Sequence, residues 1–325
     1  MDTNRHRRRL LLAACALALP LPSAAQTTEY PSLKPIRMVV PFQAGGSSDV
    51  VGRLLATQIA ASLKQSVVID NRAGAGGTIG SDVVAKAAPD GYTLLLVDAL
   101  HIVSPLFNRN TLYDPIKDFT PVAMIAKTPT FLASSAAFEA TNLAAVVAFA
   151  RKNPGRVTVG LPGSGSLVIE MLKLRTGVQF TLVPYKGGAP ALNDLVAGNI
   201  NLLGASIATM SGFVKSGKLR LLATSSTTRH PDFPDVPTFA EAGVPGVEYE
   251  QWFGVMAPAN LPRAIAATLG TALIQAIKVP EVRERFDRLA LEPFGQGPDE
   301  FRARVISDSE RWHKIAAEAG IKPAD

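Results

Sequence analysis

The sequence predicts an α/β protein made of two sets of alternating strands and helices. Three observations carry that prediction. Short apolar runs alternate with segments whose apolar residues recur at helical spacing, the pattern of layered α/β folds. Glycine-rich turns stand between the first strands and the helices that follow them. A proline-punctuated stretch, "DPIKDFTPVAMIAKTPTFLAS", then separates the first set of units from the second, as expected of a connection leaving one domain for another.

Residues 36–42 read as the first strand, and Val50, Val51, Leu54, Leu55, Ile59 and Leu63 mark one face of the helix after it. A second strand spans 67–69. The turn "NRAGAGGTIG" leads from it into a helix through Val83, Val84 and Ala87, which "PDGY" ends. Residues 93–97 form a third strand. The second set begins near residue 129: "LAAVVAFARKNPG" is a helix with a stop, "RVTVGLPGSGS" a strand and turn, and "IEMLKLRTG" a helix ending at Gly177. "FTLVPYKG" is a strand, "APALNDLVAGNINLLGAS" and "MSGFVKSGKLRLLATSS" are helix–strand pairs, and "EYEQWFGVMAP" is a strand. Two long helices, 263–278 and 298–319, close the chain. No internal repeat is visible.

The N-terminus reads as an address. Arg5, Arg7, Arg8 and Arg9 precede an apolar run at 10–21, and Ser23, Ala24 and Ala25 form a small-residue cleavage signature. A signal peptide over 1–25, cut after Ala25, is expected, with either general or twin-arginine export. Its apolar run is about half of the roughly 20 residues that a membrane span needs. Cys15 is the only cysteine of the 325-residue chain. The exported part therefore has no disulfide and no cysteine ligand or nucleophile. The net charge of +6 includes four arginines and one aspartate of the signal, leaving +3 for the remainder, too little for a nucleic-acid footprint.

The stretch "VVPFQAGGSSDVVGRLLA" poses the functional question, because a strand there feeds a helix through two glycines and two serines. The first N–H groups of such a helix lack internal partners and, with the helix dipole, attract an anion. The turn before the second helix, at residues 74–77, repeats the arrangement. Both lie at carboxyl ends of strands, where open α/β sheets bind ligands. A nucleotide fingerprint fails: Ile79 stands where the last glycine of G-x-G-x-x-G belongs, and no P-loop occurs. Enzyme motifs are absent as well, since His101, His230 and His313 have no metal-ligand spacing and no serine has a nucleophile-elbow context. No catalytic residue, metal or cofactor is expected. At Asp49, capping of the helix is the default role.

The segments "KPIRMVVPFQAGGSSDVVGRLLA", "NRAGAGGTIGSDVVAKAAPDGYTLL", "YDPIKDFTPVAMI", "VPYKGGAPALNDLVAGNI", "GKLRLLATSS", "FPDVPTFAEAGVPG" and "WFGVMAPANLP" resemble, in this order, the signature segments of the Bug family. These are extracytoplasmic solute-binding receptors of tripartite tricarboxylate transporters. The resemblance implies a type II periplasmic-binding-protein fold, two α/β domains joined by two crossing strands with a ligand cleft between them. Domain I would comprise 34–128 and 250–325, and domain II 129–249. It further implies a small organic carboxylate as ligand and inner-membrane permease subunits as partners. The ligand site implied is Phe42, Gly45, Gly46, Ser47, Ser48 and Asp49 at the first turn; Gly76, Gly77 and Thr78 at the second; His101 and Ser104 after the third strand; and Ser164, Gly165, Ser166 and Tyr185 from the other domain.

The sequence departs from the family pattern twice. After "GSGS" the chain runs through Leu167, Val168 and Ile169 straight to Glu170, about three residues short. At "LLGAS", Gly204, Ala205 and Ser206 replace an aromatic followed by aspartate. Both put the specificity-giving half of the pocket in question. The expected function is a monomeric, non-catalytic periplasmic receptor that closes over a carboxylate. A ligand sensor of the same fold feeding a membrane signalling partner is the alternative, and an exported hydrolase ranks last.

Overall fold

The computed structural model describes residues 30–108, 110–162, 166–185, 187–289 and 291–318. The predicted signal segment therefore lies outside the described residues. The chain divides into two compact units, Met1–Leu33 and Lys34–Asp325, and every element below belongs to the second.

The first lobe opens with β1 (Ile36–Val40), α1 (Ser47–Leu63), β2 (Val67–Asn71), a 3-10 turn at Ala75–Gly77, α2 (Thr78–Ala85), β3 (Thr93–Asp98) and α3 (Leu100–Phe107). Strands β2, β1 and β3 pair in parallel, in that order. Val51, Leu55 and Ile59 of α1 are fully buried, which fixes that helix on the sheet by its predicted face.

The proline-punctuated connection is itself a strand. It is β4 (Phe119–Ser135), a strand of 17 residues. Pro121 and Pro129 argue against a central strand because they lack an N–H. The ladder accommodates Pro121 with a register shift just after it, and a second shift follows Met124. Residues 119–129 of β4 pair with β9 (Glu250–Pro258), while residues 130–134 pair with β7 (Leu202–Ser206) and 131–135 with β8 (Leu219–Thr224). One strand thus runs through both lobes.

The second lobe also holds α4 (Leu143–Lys152), β5 (Thr158–Leu161), α5 (Ser166–Thr176), β6 (Thr181–Pro184), α6 (Gly188–Ala197) and α7 (Ile207–Lys215). Strands β7, β5 and β6 are parallel neighbours. The chain returns through residues 225–249 into β9. At this crossing Thr130 N donates to Ser225 Oγ at 2.9 Å, Ser225 N to Thr130 O at 2.8 Å and Tyr249 N to Ser225 O at 2.9 Å. Ser225 Oγ in turn donates to Tyr249 O. Buried backbone groups of both crossing segments are thereby satisfied by one serine.

The C-terminal part has α8 (Arg263–Ala276), α9 (Pro280–Arg288), β10 (Glu292–Gln296) and α10 (Pro298–Glu318). Helix α9 and strand β10 were not expected. Only Val282 and Phe286 of α9 are buried, too few apolar positions to stand out by periodicity. Helix α10 is anchored on β9 by Trp252 Nε1, which donates to Asp308 Oδ2 at 2.8 Å. Gly254 is required beneath it, since a Cβ there would come within 2.3 Å of the Phe301 ring.

Candidate functional site

Three helices begin at one small cavity. Helix α1 follows Gly46, α6 follows Gly187 and α7 follows Ser206, and none of these three residues gives its helix a side-chain cap. All three line a cavity of about 60 Å³, together with Phe42, Ser47 and Ser48 from the first lobe and Gly188, Gly204, Ala205 and Thr209 from the second. In α1 the first internal bond is from Val50 N to Gly46 O. The N–H groups of Ser47, Ser48 and Asp49 precede it and have no helical acceptor. Three uncapped N-termini place three positive dipole ends around one space. Asp98, Pro162 and Gln251 complete the lining. The Asp98 carboxylate accepts from Leu100 N at 3.0 Å.

The turn carrying Gly45 and Gly46 is held from behind by Asp49. Its Oδ2 accepts from Gly45 N and Arg53 Nε, both at 3.0 Å, and its Oδ1 from Asn71 Nδ2 at 3.0 Å. Asn71 Nδ2 also donates to Phe42 O at 3.1 Å. Burial acts to raise the Asp49 carboxyl, but the hydrogen bonds from Arg53, Gly45 and Asn71 outweigh it and hold it below its usual range. Asp49, implied as a ligand residue, lines neither this cavity nor the one beside it; its lone pairs are engaged in shaping the turn. Arg53 is occupied by Asp49 and Arg72 by Asp70, so the nearest arginines are paired.

The second glycine turn lies on a neighbouring cavity of about 490 Å³. Gly74, Ala75, Gly76 and Gly77 all have positive φ, which explains the glycines. Ser104 Oγ donates to Gly76 O at 3.1 Å and Thr78 Oγ1 to Ala75 O at 2.9 Å. Ser104 lines the cavity and Thr78 does not. Phe42 and Pro162 line both cavities. The two turns therefore face adjoining spaces. From the second lobe Ser166 and Tyr185 reach the larger cavity, while Ser164 and Gly165 lie outside the described residues. Tyr185 OH donates to Asp194 Oδ2 at 2.6 Å; burial, then that bond and charge, push it up to about 12.

His101 corrects the expected site. It is 5% exposed, stacked on Tyr113 with ring centroids 5.0 Å apart, edge-on to Phe119, and lines neither cavity. Ser81 Oγ is 3.1 Å from its Nδ1. Burial depresses its pKa to about 3, so a neutral ring forms part of the core.

The comparisons with known proteins agree with this architecture. Residues 51–321 match the family described as "Tripartite tricarboxylate transporter family receptor". The chain belongs to this family. It is 37% identical over 321 residues to Protein BugT of Bordetella pertussis, covering 96% of each chain. Among solved structures, the periplasmic binding protein BugD superposes with a TM-score of 0.86 at 33% identity, over 91% of this chain and 100% of that one. An R. palustris protein solved with adipate gives 0.86 at 36% identity, again over 91% and 100%. The two-lobed fold is thus that of periplasmic solute-binding receptors. Among the described residues no cluster of three or more His, Cys, Asp and Glu is placed for a metal, and no single helix is long and apolar enough to cross a membrane.

Several cavity residues of the receptor were not in the expected ligand site: Gly187, Ser206, Thr209, Asp98 and Gln251. A signal existed for two of them. "YKGGAPAL" and "LLGASIA" are both strand–glycine–helix junctions like the first turn, and their carboxyl-end position was the same clue.

Proposed function

We propose that this receptor captures a small organic carboxylate by closing its two lobes over it outside the inner membrane, and delivers it to inner-membrane permease subunits. The observation that carries the reading is the convergence of three uncapped helix N-termini, one from the first lobe and two from the second, on one cavity. Such an arrangement binds an anion through backbone N–H groups without an ion pair. Charge-assisted bonds of roughly 1.5–3 kcal/mol each make a few of them sufficient for micromolar capture. Adipate in the related R. palustris protein is a ligand of this chemical type. Because the donors come from both lobes, ligand favours the closed arrangement over the open one.

In this reading residues 1–25 are removed after export, 34–128 with 250–325 and 129–249 are the two moving domains, and the protein acts as a monomer with no catalytic step. Calorimetry of the exported chain against carboxylates, paired with small-angle scattering, tests it. Saturable binding with a more compact particle is expected. Binding with an unchanged scattering profile overturns the closure, and turnover of esters without carboxylate binding overturns the receptor reading.

A further inference from the structure

We infer that a groove behind the crossing strands is the space that lobe closure opens, and that filling it holds the receptor closed and raises its affinity for ligand. The inference rests on the proposed closure of the two lobes over a carboxylate. Successive residues of a strand point to opposite faces. Gln251 of β9 lines the small cavity, whereas Glu250 beside it lines a groove of about 900 Å³, as do Lys127 and Pro129 of β4. The groove therefore lies on the far side of the crossing strands from the cleft. It shares no described lining residue with either cavity of the site.

One wall of the groove belongs to the second lobe, with Thr228 and Asp232, and the other to α9 and α10, with Asp287 and Arg304. Helix α10 packs on α3 of the first lobe, and β10, against which α9 lies, pairs with the first-lobe part of β4. Bending is easiest between these walls. Strand β10 pairs with β4 as far as Lys127 and β7 takes over at Thr130; between them Thr128 and Pro129 are paired with β9 alone among the described strands. Pro129 has no N–H to give to a ladder. The thinnest part of the sheet is thus the floor of the groove. On the cleft side the lobes meet at Ser47 and Ser206, while the groove behind stands open. Rotation about the thin segment exchanges these widths, so parting the lobes at the cleft brings the rear walls together. A body in the groove clashes in the open arrangement and fits in the closed one, which removes open protein from the population. Apparent affinity is reduced by whatever fraction of the protein is not in the binding arrangement, so such a body tightens binding without touching the ligand.

From residue 26 onward the sequence holds no cysteine, and Thr228 and Asp287 are exposed, one on each wall. Thr228→Cys and Asp287→Cys in the exported chain, each capped with either a methylthio group or pyrene maleimide, are compared by small-angle scattering and by calorimetry with adipate as the probe. The two caps share one substitution, so they differ only in bulk. The pyrene forms are expected to be more compact than the methylthio forms without ligand, and to bind adipate about three- to tenfold tighter. Pyrene forms at both sites that scatter as the methylthio forms do overturn the inference, and so does equal adipate affinity. The scattering comparison needs no ligand and decides the role of the groove even where adipate does not bind. Failure of adipate, acetate and citrate to bind any form overturns the carboxylate reading instead.

Discussion

Ser47 Oγ and Ser206 Oγ lie 3.0 Å apart although 159 residues separate them in the chain. Ser47 opens α1 in the first lobe and Ser206 immediately precedes α7 in the second, so this one bond joins two helix N-termini across the cleft. Gly187 stands beside Gln43 there: an added Cβ would come to 3.6 Å from Gln43 Cβ.

Ser206→Ala removes the cross-lobe bond and leaves both helices intact. A hydrogen bond of this kind is worth about 0.5–1.5 kcal/mol net. Carboxylate affinity is expected to fall roughly three- to tenfold, with a looser ligand-bound particle in small-angle scattering. Unchanged affinity and compaction would show that closure does not use this bond.

Gly46→Asp puts a carboxylate where the ligand's is expected, on a residue with ordinary φ of −82°. The new Cβ meets only Gln43 O, at 3.7 Å. Aspartate also caps helices better than glycine by a few tenths of a kcal/mol. The expected outcome is unchanged or slightly raised thermal stability with affinity down by about a hundredfold or more. Gly77 is a poorer place for this test. Its φ of 92° makes any side chain there cost about 1–2 kcal/mol whatever the ligand does.

Asp49→Asn should destabilise the fold by about 2 kcal/mol at pH 7, because hydrogen bonds from Arg53 and Gly45 N–H lose a charged acceptor. The native carboxyl is held below its ordinary 3.8. Its stabilisation is therefore fully present above that value and is lost as pH falls through the lower folded one. Urea unfolding of both proteins should show the gap closing on acidification below 3.8.

His101→Phe probes a buried neutral imidazole. The folded pKa of about 3 lies below the ordinary 6.5, so the unfolded chain takes up the proton first and native stability declines as pH falls from 6.5 towards 3. The phenylalanine variant should lose less stability across that window. Its carboxylate affinity at pH 7 should match the native protein, because His101 lines neither cavity. A large loss of affinity in the folded variant would return His101 to the site.

The sequence by itself determined the α/β class, the strand–glycine–helix junction at Gly46, Ser47 and Ser48, and the family. These are local: apolar periodicity reports which face is buried, and a strand–glycine–helix junction exposes helix N–H groups wherever it occurs. It went astray where the decisive contact is distant. Pro121 and Pro129 mark a connection between domains, and only the bulged ladder to β9 makes that connection a strand. His101 looks like a crevice residue until Tyr113 and Phe119 close around it. Only the tertiary structure decided which helix ends meet. Gly46, Gly187 and Ser206 share a cavity because β4 carries the chain from one lobe into the other and returns the second lobe's helix ends against the first. The same folding separated the two glycine turns, giving one to the small cavity and the other to the larger one that adjoins it at Phe42.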